Sequence, residues 1–289
     1  VVRGVEVEQR RGEGGVLRTM DGVAFMSRYH PLKDLAPRDV VARAIDTELK
    51  RTGDLHVLLD MTHLPAGMVE DRFPGVFNKL IGLGIDMREV PIPVVPAAHY
   101  CCGGVTTDAW GRSTVPGLMV AGETAHTGLH GANRLASNSI LESLVFGHRA
   151  AVVSLTELKA TEADEVPEIP DWNVGYATNP DENVLVAHAW DELRRLMWNY
   201  VGIVRSNKRL MRAKRRIEVL RQEIREDYWR FVLRPELVEL RNIATVAGLI
   251  VESALIRRES RGLHFTVDYP ERDDANCQRD TLLVKGLRS

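Results

Sequence analysis

The sequence predicts a mixed α/β chain that ends in an all-helical part. Three observations carry this. Short apolar runs alternate with helical spacing over residues 1–98. Glycine and small residues crowd residues 99–160. Apolar residues at steps of three and four fill three stretches between 185 and 260. At 289 residues, 44% of them hydrophobic, the chain has room for two cores of ordinary size.

The elements follow in order. Ala36 to Gly53 reads as a helix: Pro37 suits its first turn, Val40, Val41, Ala44, Ile45 and Leu49 share a face, and Gly53 stops it. His56 to Asp60 reads as a buried strand. A helical stretch over 67–82 is broken or started by Pro74. Val90-Pro-Ile-Pro-Val-Val-Pro96 reads as an extended connector and not as a central strand, because proline donates no ladder bond. Val105–Thr107 and Arg112–Thr114 bracket Asp108–Gly111 as a hairpin, and Gly117–Ala121 reads as a short buried strand. A long helix begins at Asn133 or Asn138 and runs to Lys159. Residues 161–184 are acidic and proline-bearing, as in a linker. The last three stripes predict a three-helix bundle: Val186 to Val204, Leu210 to Phe231, and Leu237 to Ala254.

Composition excludes several classes. A net charge of −2 gives no bulk electrostatic case for nucleic acid or an anionic membrane, and no apolar run is long enough to span a bilayer. Three cysteines, two adjacent, form no disulfide framework and fit a reducing cytoplasmic setting. The start at Val1 reads as lying inside a longer protein. Nine Lys or Arg between 205 and 225 have no interleaved aromatic platform; they read as a solvated helix face or one that meets an acidic partner.

The chemistry concentrates at Gly122-Glu-Thr-Ala-His-Thr-Gly-Leu-His-Gly-Ala-Asn-Arg-Leu-Ala-Ser-Asn-Ser-Ile-Leu-Glu142. A strand end, a glycine loop and a helix start leave backbone N–H groups open to an anion or polar ligand. An ordinary capped helix gives the same pattern, so both readings stand. Arg134 in that loop is a fork suited to a carboxylate, or to a surface ion pair. His99-Tyr100-Cys-Cys-Gly-Gly104 is a second concentration, with no zinc-like spacing, so no metal is expected. Arg38 sits in the first turn of a helix, against the macrodipole, and either serves function or forms a surface arrangement with Asp39. No GxGxxG, GxxxxGK[ST] or HExxH occurs at a strand-to-helix turn.

These runs also carry a resemblance. His99–Val105, Gly128–Glu142 and Leu35-Ala-Pro-Arg-Asp-Val-Val-Ala-Arg43 resemble the L-aspartate oxidases, within the flavoprotein family of succinate dehydrogenase and fumarate reductase. Trp198–Arg205, Arg258–His264 and Asp268–Pro270 extend the likeness through the helical part, over roughly residues 10–272. It implies a capping α+β domain at 1–98, the C-terminal part of a Rossmann-like FAD-binding domain at 99–160, the linker at 161–184, and a helical domain at 185–289. It implies FAD, with Glu123 on the ribityl chain, Ser139 and Ile140 at the flavin's pyrimidine edge, and Asn138 among the cofactor-binding residues. His99, Arg134 and Glu8 would bind substrate, and Arg38 with Arg11 would stand at the reacting carbon. The implied reaction is oxidation of L-aspartate to iminoaspartate with fumarate or dioxygen as acceptor, the first step of NAD biosynthesis, with quinolinate synthase as an expected partner. A fumarate reductase or succinate dehydrogenase subunit is the alternative within the family. A non-catalytic module docking through the basic helix is the alternative outside it. Val7 departs from the family's threonine and removes one substrate hydrogen bond. The resemblance also implies that the glycine-rich start of the flavin domain lies outside this sequence, so the chain alone should hold FAD poorly and expose apolar surface.

Overall fold

A computed structural model describes residues 13–97, 100–135, 137–160, 168–179 and 184–285. The elements are β1 (Val16–Arg18), α1 (Arg38–Thr52), β2 (Val57–Asp60), α2 (Ala66–Arg72), α3 (Pro74–Ile81), β3 (Ile92–Val94), β4 (Val105–Thr106), β5 (Ala125–His126), α4 (Ser139–Ala160), α5 (Val184–Val201), β6 (Val204–Arg205), α6 (Asn207–Arg230), α7 (Pro235–Ile256), β7 (Phe265–Thr266) and α8 (Asp274–Cys277). The chain divides into two compact units, residues 1–97 with 196–209, and residues 98–195 with 210–289.

The first unit is built on an antiparallel sheet of order β1-β2-β3, with Leu17 opposite Leu59 and Leu59 opposite Ile92. Alternation puts Val57, Leu59 and Met61 on one face. There they meet Phe25, Met26, Val69, Leu80 and Met87 in a closed core. The core side of α1 adds Val41, Ala44, Ile45 and Leu49. Gly53 ends α1 at φ +83°, where a side chain would be strained, and its N–H bonds Leu49 O. Pro74 starts α3 and separates it from α2, because its ring cannot continue the preceding turn. Two buried carboxylates fix α1. Glu48 accepts the Tyr29 hydroxyl at 2.7 Å and pairs with Arg51 and Arg28. Asp46 accepts the Val204 N–H at 2.9 Å and pairs with Lys50, tying the 201–206 segment to this helix.

One sequence expectation in this unit is corrected. The proline-rich connector contains β3. It is an edge strand, and at an edge every second backbone group faces away from the ladder, so Pro93 costs no pairing.

In the second unit β4 runs parallel to β5. The strands approach so closely that a Cβ on Gly104 would lie 2.1 Å from Thr124 O, which only glycine avoids. Two more expectations are corrected here. Val105–Thr106 is not half of a hairpin; its partner is β5, while Asp108–Arg112 forms only a turn, with Gly111 N–H on Asp108 O. Gly117–Ala121 is not a buried strand: Leu118 is exposed, and Met119 makes an isolated bridge to Arg112. The run pairs only with the adjacent residues 111–113, through Ser113 N–H on Leu118 O and Val120 N–H on Gly111 O, and joins neither strand of the β4-β5 pair.

The helical stripes match in kind. Leu210, Ala213, Ile217, Leu220 and Ile224 are buried on α6, and Leu237, Leu240, Ala244, Ala247, Val251 and Ala254 on α7. Part of the α6 charge is paired, Arg216 with Glu192 and Lys214 with Glu252. After α7 the chain turns around Glu259, a fully buried carboxylate that accepts from Arg261 at 2.7 and 2.9 Å and from Asp273 N–H at 3.0 Å, and pairs with Arg257. Its neighbour Gly262 abuts the glycine loop: Leu263 N–H bonds Ala132 O at 2.9 Å. Among the described residues no helix is long and apolar enough to cross a membrane.

Candidate functional site

The site grows from three neighbouring pieces of the second unit: residues 100–104, the loop 122–135, and the start of α4. Gly122 has φ +80° and opens a short 3-10 turn that presents Glu123. The exposed Glu123 carboxylate accepts the Cys101 N–H at 3.0 Å and keeps further acceptor capacity. The glycines of the loop then let the chain fold back tightly, and α4 begins at Ser139.

The helical ladder of α4 opens with Glu142 N–H on Asn138 O at 2.8 Å. The N–H groups of Ser139, Ile140 and Leu141 lie ahead of that bond, in the turn where a helix has no internal acceptor to offer. Beside them Ile140, Leu141 and Leu144 are exposed apolar side chains. Open amides, a dipole that favours negative charge, and an adjoining apolar surface form a place for a flat ring with a polar edge. This chemistry fits the end of a flavin.

Arg134 stands at the same place. Its Nε donates to Ser139 Oγ at 2.7 Å, and its guanidinium lies 5.6 Å from the centre of the Tyr100 ring. With Nε engaged, the terminal nitrogens form the fork that matches a carboxylate. Nearby Cys102 sits in the left-handed region at φ +54°, and burial pushes its thiol up from its ordinary value.

Glu142, one turn into α4, is the residue that sequence reasoning missed. It is 3% exposed. Tyr100 OH donates to Oε2 at 3.0 Å, His130 Nε2 lies 3.0 Å from the same oxygen, and the Thr127 hydroxyl donates to Oε1. Burial acts to raise its pKa, but the bonds from Thr127 and Tyr100 and the His130 ring outweigh this and hold it below the ordinary carboxylate range. Burial and the bond to this carboxylate push the Tyr100 phenol up to about 12. The available signal was Ser139-Ile-Leu-Glu142, a capping-box pattern. That pattern aims the glutamate at its own helix start; the three hydroxyl and imidazole partners capture it instead.

Glu123, Arg134, Asn138, Ser139 and Ile140 are thus brought together within one unit. Arg38 begins α1 in the other unit and is exposed, and Asp39 pairs with Arg43 at 2.7 Å. His99, Glu8, Arg11 and Val7 lie outside the described residues. Among the described residues no group of three His, Cys, Asp or Glu is placed to hold a metal.

The family model described as FAD binding domain matches residues 3–140, and the one described as fumarate reductase flavoprotein C-term matches residues 190–288. A Pseudomonas aeruginosa protein named L-aspartate oxidase is 54% identical over 278 residues, covering 96% of this chain and 51% of that protein. L-aspartate oxidase 2-b, chloroplastic, of Nicotiana tabacum is 43% identical, over 93% of this chain and 43% of that protein. The structure of E. coli quinol fumarate reductase superposes with a TM-score of 0.74 at 28% identity, over 94% of this chain and 52% of that one. Mycobacterium smegmatis Sdh1 gives 0.73 at 32% identity, over 92% and 47%. The chain spans about half the length of the relatives it matches. The two family models and the relatives agree: the chain belongs to the flavoprotein family of fumarate reductase and succinate dehydrogenase, which also includes its L-aspartate oxidase relatives.

Proposed function

We propose that this chain is part of an FAD-dependent oxidoreductase that converts L-aspartate to iminoaspartate, with fumarate or dioxygen as electron acceptor, as the entry to quinolinate and NAD synthesis. One observation carries the choice within the family. Identity to the P. aeruginosa L-aspartate oxidase is 54%, against 28% and 32% to the fumarate reductase and Sdh1 structures.

On this reading residues 1–98 cap the substrate, 99–160 form the C-terminal part of a Rossmann-like FAD-binding domain, 161–184 link, and 185–289 form a helical bundle with a tail. The amides at Ser139 and Ile140, with Asn138, hold the flavin's polar edge, and Glu123 accepts from a ribityl hydroxyl. When bound, FAD accepts the two electrons that leave the substrate. Arg134 and His99 grip substrate carboxylates, and Glu8 lies with them. Arg38, with Arg11 close by, faces the reacting carbon. A guanidinium does not give up its proton near neutrality. Arg38 therefore orients and neutralises during aspartate oxidation, and serves as proton donor to carbon only in the fumarate direction. Iminoaspartate passes to a quinolinate synthase, the partner we propose, in the cytoplasm.

The test is Arg134→Ala in the FAD-loaded protein made from its complete reading frame. Removing one partner of a desolvated charge pair costs enough to lower kcat/KM for L-aspartate about 100-fold or more. The flavin absorbance should stay at the wild-type level. A variant with wild-type kcat/KM contradicts the reading.

A further inference from the structure

The contacts around Arg134 lead back to one buried group. The guanidinium packs on the Tyr100 ring, and the Tyr100 hydroxyl ends on Glu142 Oε2. Leu135, the next residue along, donates its N–H to His130 Nδ1 at 3.1 Å. That bond leaves Nδ1 as an acceptor, so the ring hydrogen sits on Nε2, which points at the same Glu142 oxygen. The Tyr100 and His130 rings meet edge to face at 4.8 Å. Thr127 occupies the second carboxylate oxygen. The Ser139 hydroxyl is a support of Arg134 that does not pass through this hub.

We propose that Glu142 is a positioning residue for dicarboxylate recognition: its buried carboxylate fixes Tyr100 and His130, and these hold the Arg134 fork in the orientation that grips a substrate carboxylate. The proposal rests on the reading that Arg134 binds substrate. A buried acceptor with three donors has one arrangement that satisfies all of them, which makes it a rigid reference point. Arg134 lies on a loop outside any helix or strand, so its side chain takes its orientation from these contacts. Fixing its orientation before substrate arrives lowers the ordering cost of binding. The effect should therefore appear in KM and in the dissociation constant of an unreactive dicarboxylate, and only weakly in kcat.

The experiment uses the FAD-loaded protein from its complete reading frame, with Glu142→Gln, Tyr100→Phe, Arg134→Lys and the double variant Glu142→Gln/Arg134→Lys. L-Aspartate turnover gives KM and kcat, and the flavin absorbance change on adding succinate gives a dissociation constant. Glu142→Gln should raise KM and the succinate dissociation constant about tenfold, with kcat within about twofold. Tyr100→Phe keeps the ring and loses the hydroxyl, so a rise of about threefold is expected, and this variant carries the test if Glu142→Gln does not fold. In the Arg134→Lys background, Glu142→Gln should add less than about twofold, because the group it positions is already gone. A second readout needs no turnover. Tyr100 is faced by Glu142, Glu123, Arg134, His130 and Ser139. In Glu142→Gln one phenol should ionise at lower pH than in wild type, and the difference should vanish when Tyr100 is also Phe.

Unchanged KM and succinate binding in both single variants overturn the proposal. So do full multiplication of the Glu142→Gln and Arg134→Lys effects, and an unaltered phenol titration. A wild-type protein that turns over no L-aspartate and shows no spectral response to any dicarboxylate overturns the functional reading, and the positioning role with it.

Discussion

The sheet-bearing core of the first unit and the helix α4 of the second use similar apolar residues in opposite ways. Around β2, Leu17, Phe25, Leu59, Met61, Leu80 and Ile92 are completely covered by one another. Along α4, Ile140, Leu141, Leu144, Leu155 and Leu158 are exposed, and Val153 is buried. The first arrangement supplies stability to its own unit. At the start of α4, Ile140, Leu141 and Leu144 set apolar surface beside the helix-start amides and the Arg134 fork, which is the composition of a wall that faces a ligand or another segment. The covered side chains stabilise their own unit, and the exposed ones along α4 contribute no such burial.

The largest expected effect comes from the covered side. Phe25→Ala should lower the unfolding free energy by about 3–5 kcal/mol, from lost transfer energy and the cavity left behind. Leu144→Ala on α4 should cost less than about 0.5 kcal/mol, since it removes no buried contact. Denaturant unfolding of both variants checks the contrast, and comparable losses would break it.

A smaller effect sharpens the same comparison through Glu48. Its burial acts to raise its pKa, but the bonds from Arg51 and Tyr29 and the charge of Arg28 hold it below the ordinary carboxylate range. A depressed folded pKa means that the stabilisation is complete above the unfolded value. It is lost as pH falls through the folded one. Glu48→Gln should cost about 1.5–3 kcal/mol at neutral pH, in line with charge-assisted hydrogen bonds. The gap to wild type should close in acid, and melting curves across pH 7 to pH 2 read it. A gap that widens as pH falls contradicts the assignment.

The same division explains what the sequence made legible. Helix α1 could be read because its stop is local: Gly53 and a one-face stripe need no distant partner. Pro74 likewise splits its two helices by its own ring. The stripes of α6 and α7 survive because helical periodicity is written into adjacent residues. Gly117–Ala121 misled because strand formation depends on neighbours that lie far away in sequence. The prolines of 90–96 correctly excluded a central strand, but an edge position, which sequence does not specify, makes Pro93 harmless and lets the connector pair as β3. At the site, Glu123, Arg134 and Ser139 were legible as a glycine loop feeding a helix start. Glu142 was not, since its partners Tyr100, Thr127 and His130 are joined only by the way the loop folds. The likeness to relatives supplied the substrate class, which no spacing in the chain encodes.

On the proposed function, the start of α4 and Arg134 serve flavin-linked oxidation of an amino dicarboxylate. Anaerobic mixing of the FAD-loaded protein from its complete reading frame with L-aspartate tests it most directly, read by the visible flavin absorbance. Bleaching by L-aspartate, recovery on adding fumarate, and no bleaching by succinate are expected. Bleaching by succinate without any by L-aspartate, or by neither, would contradict it.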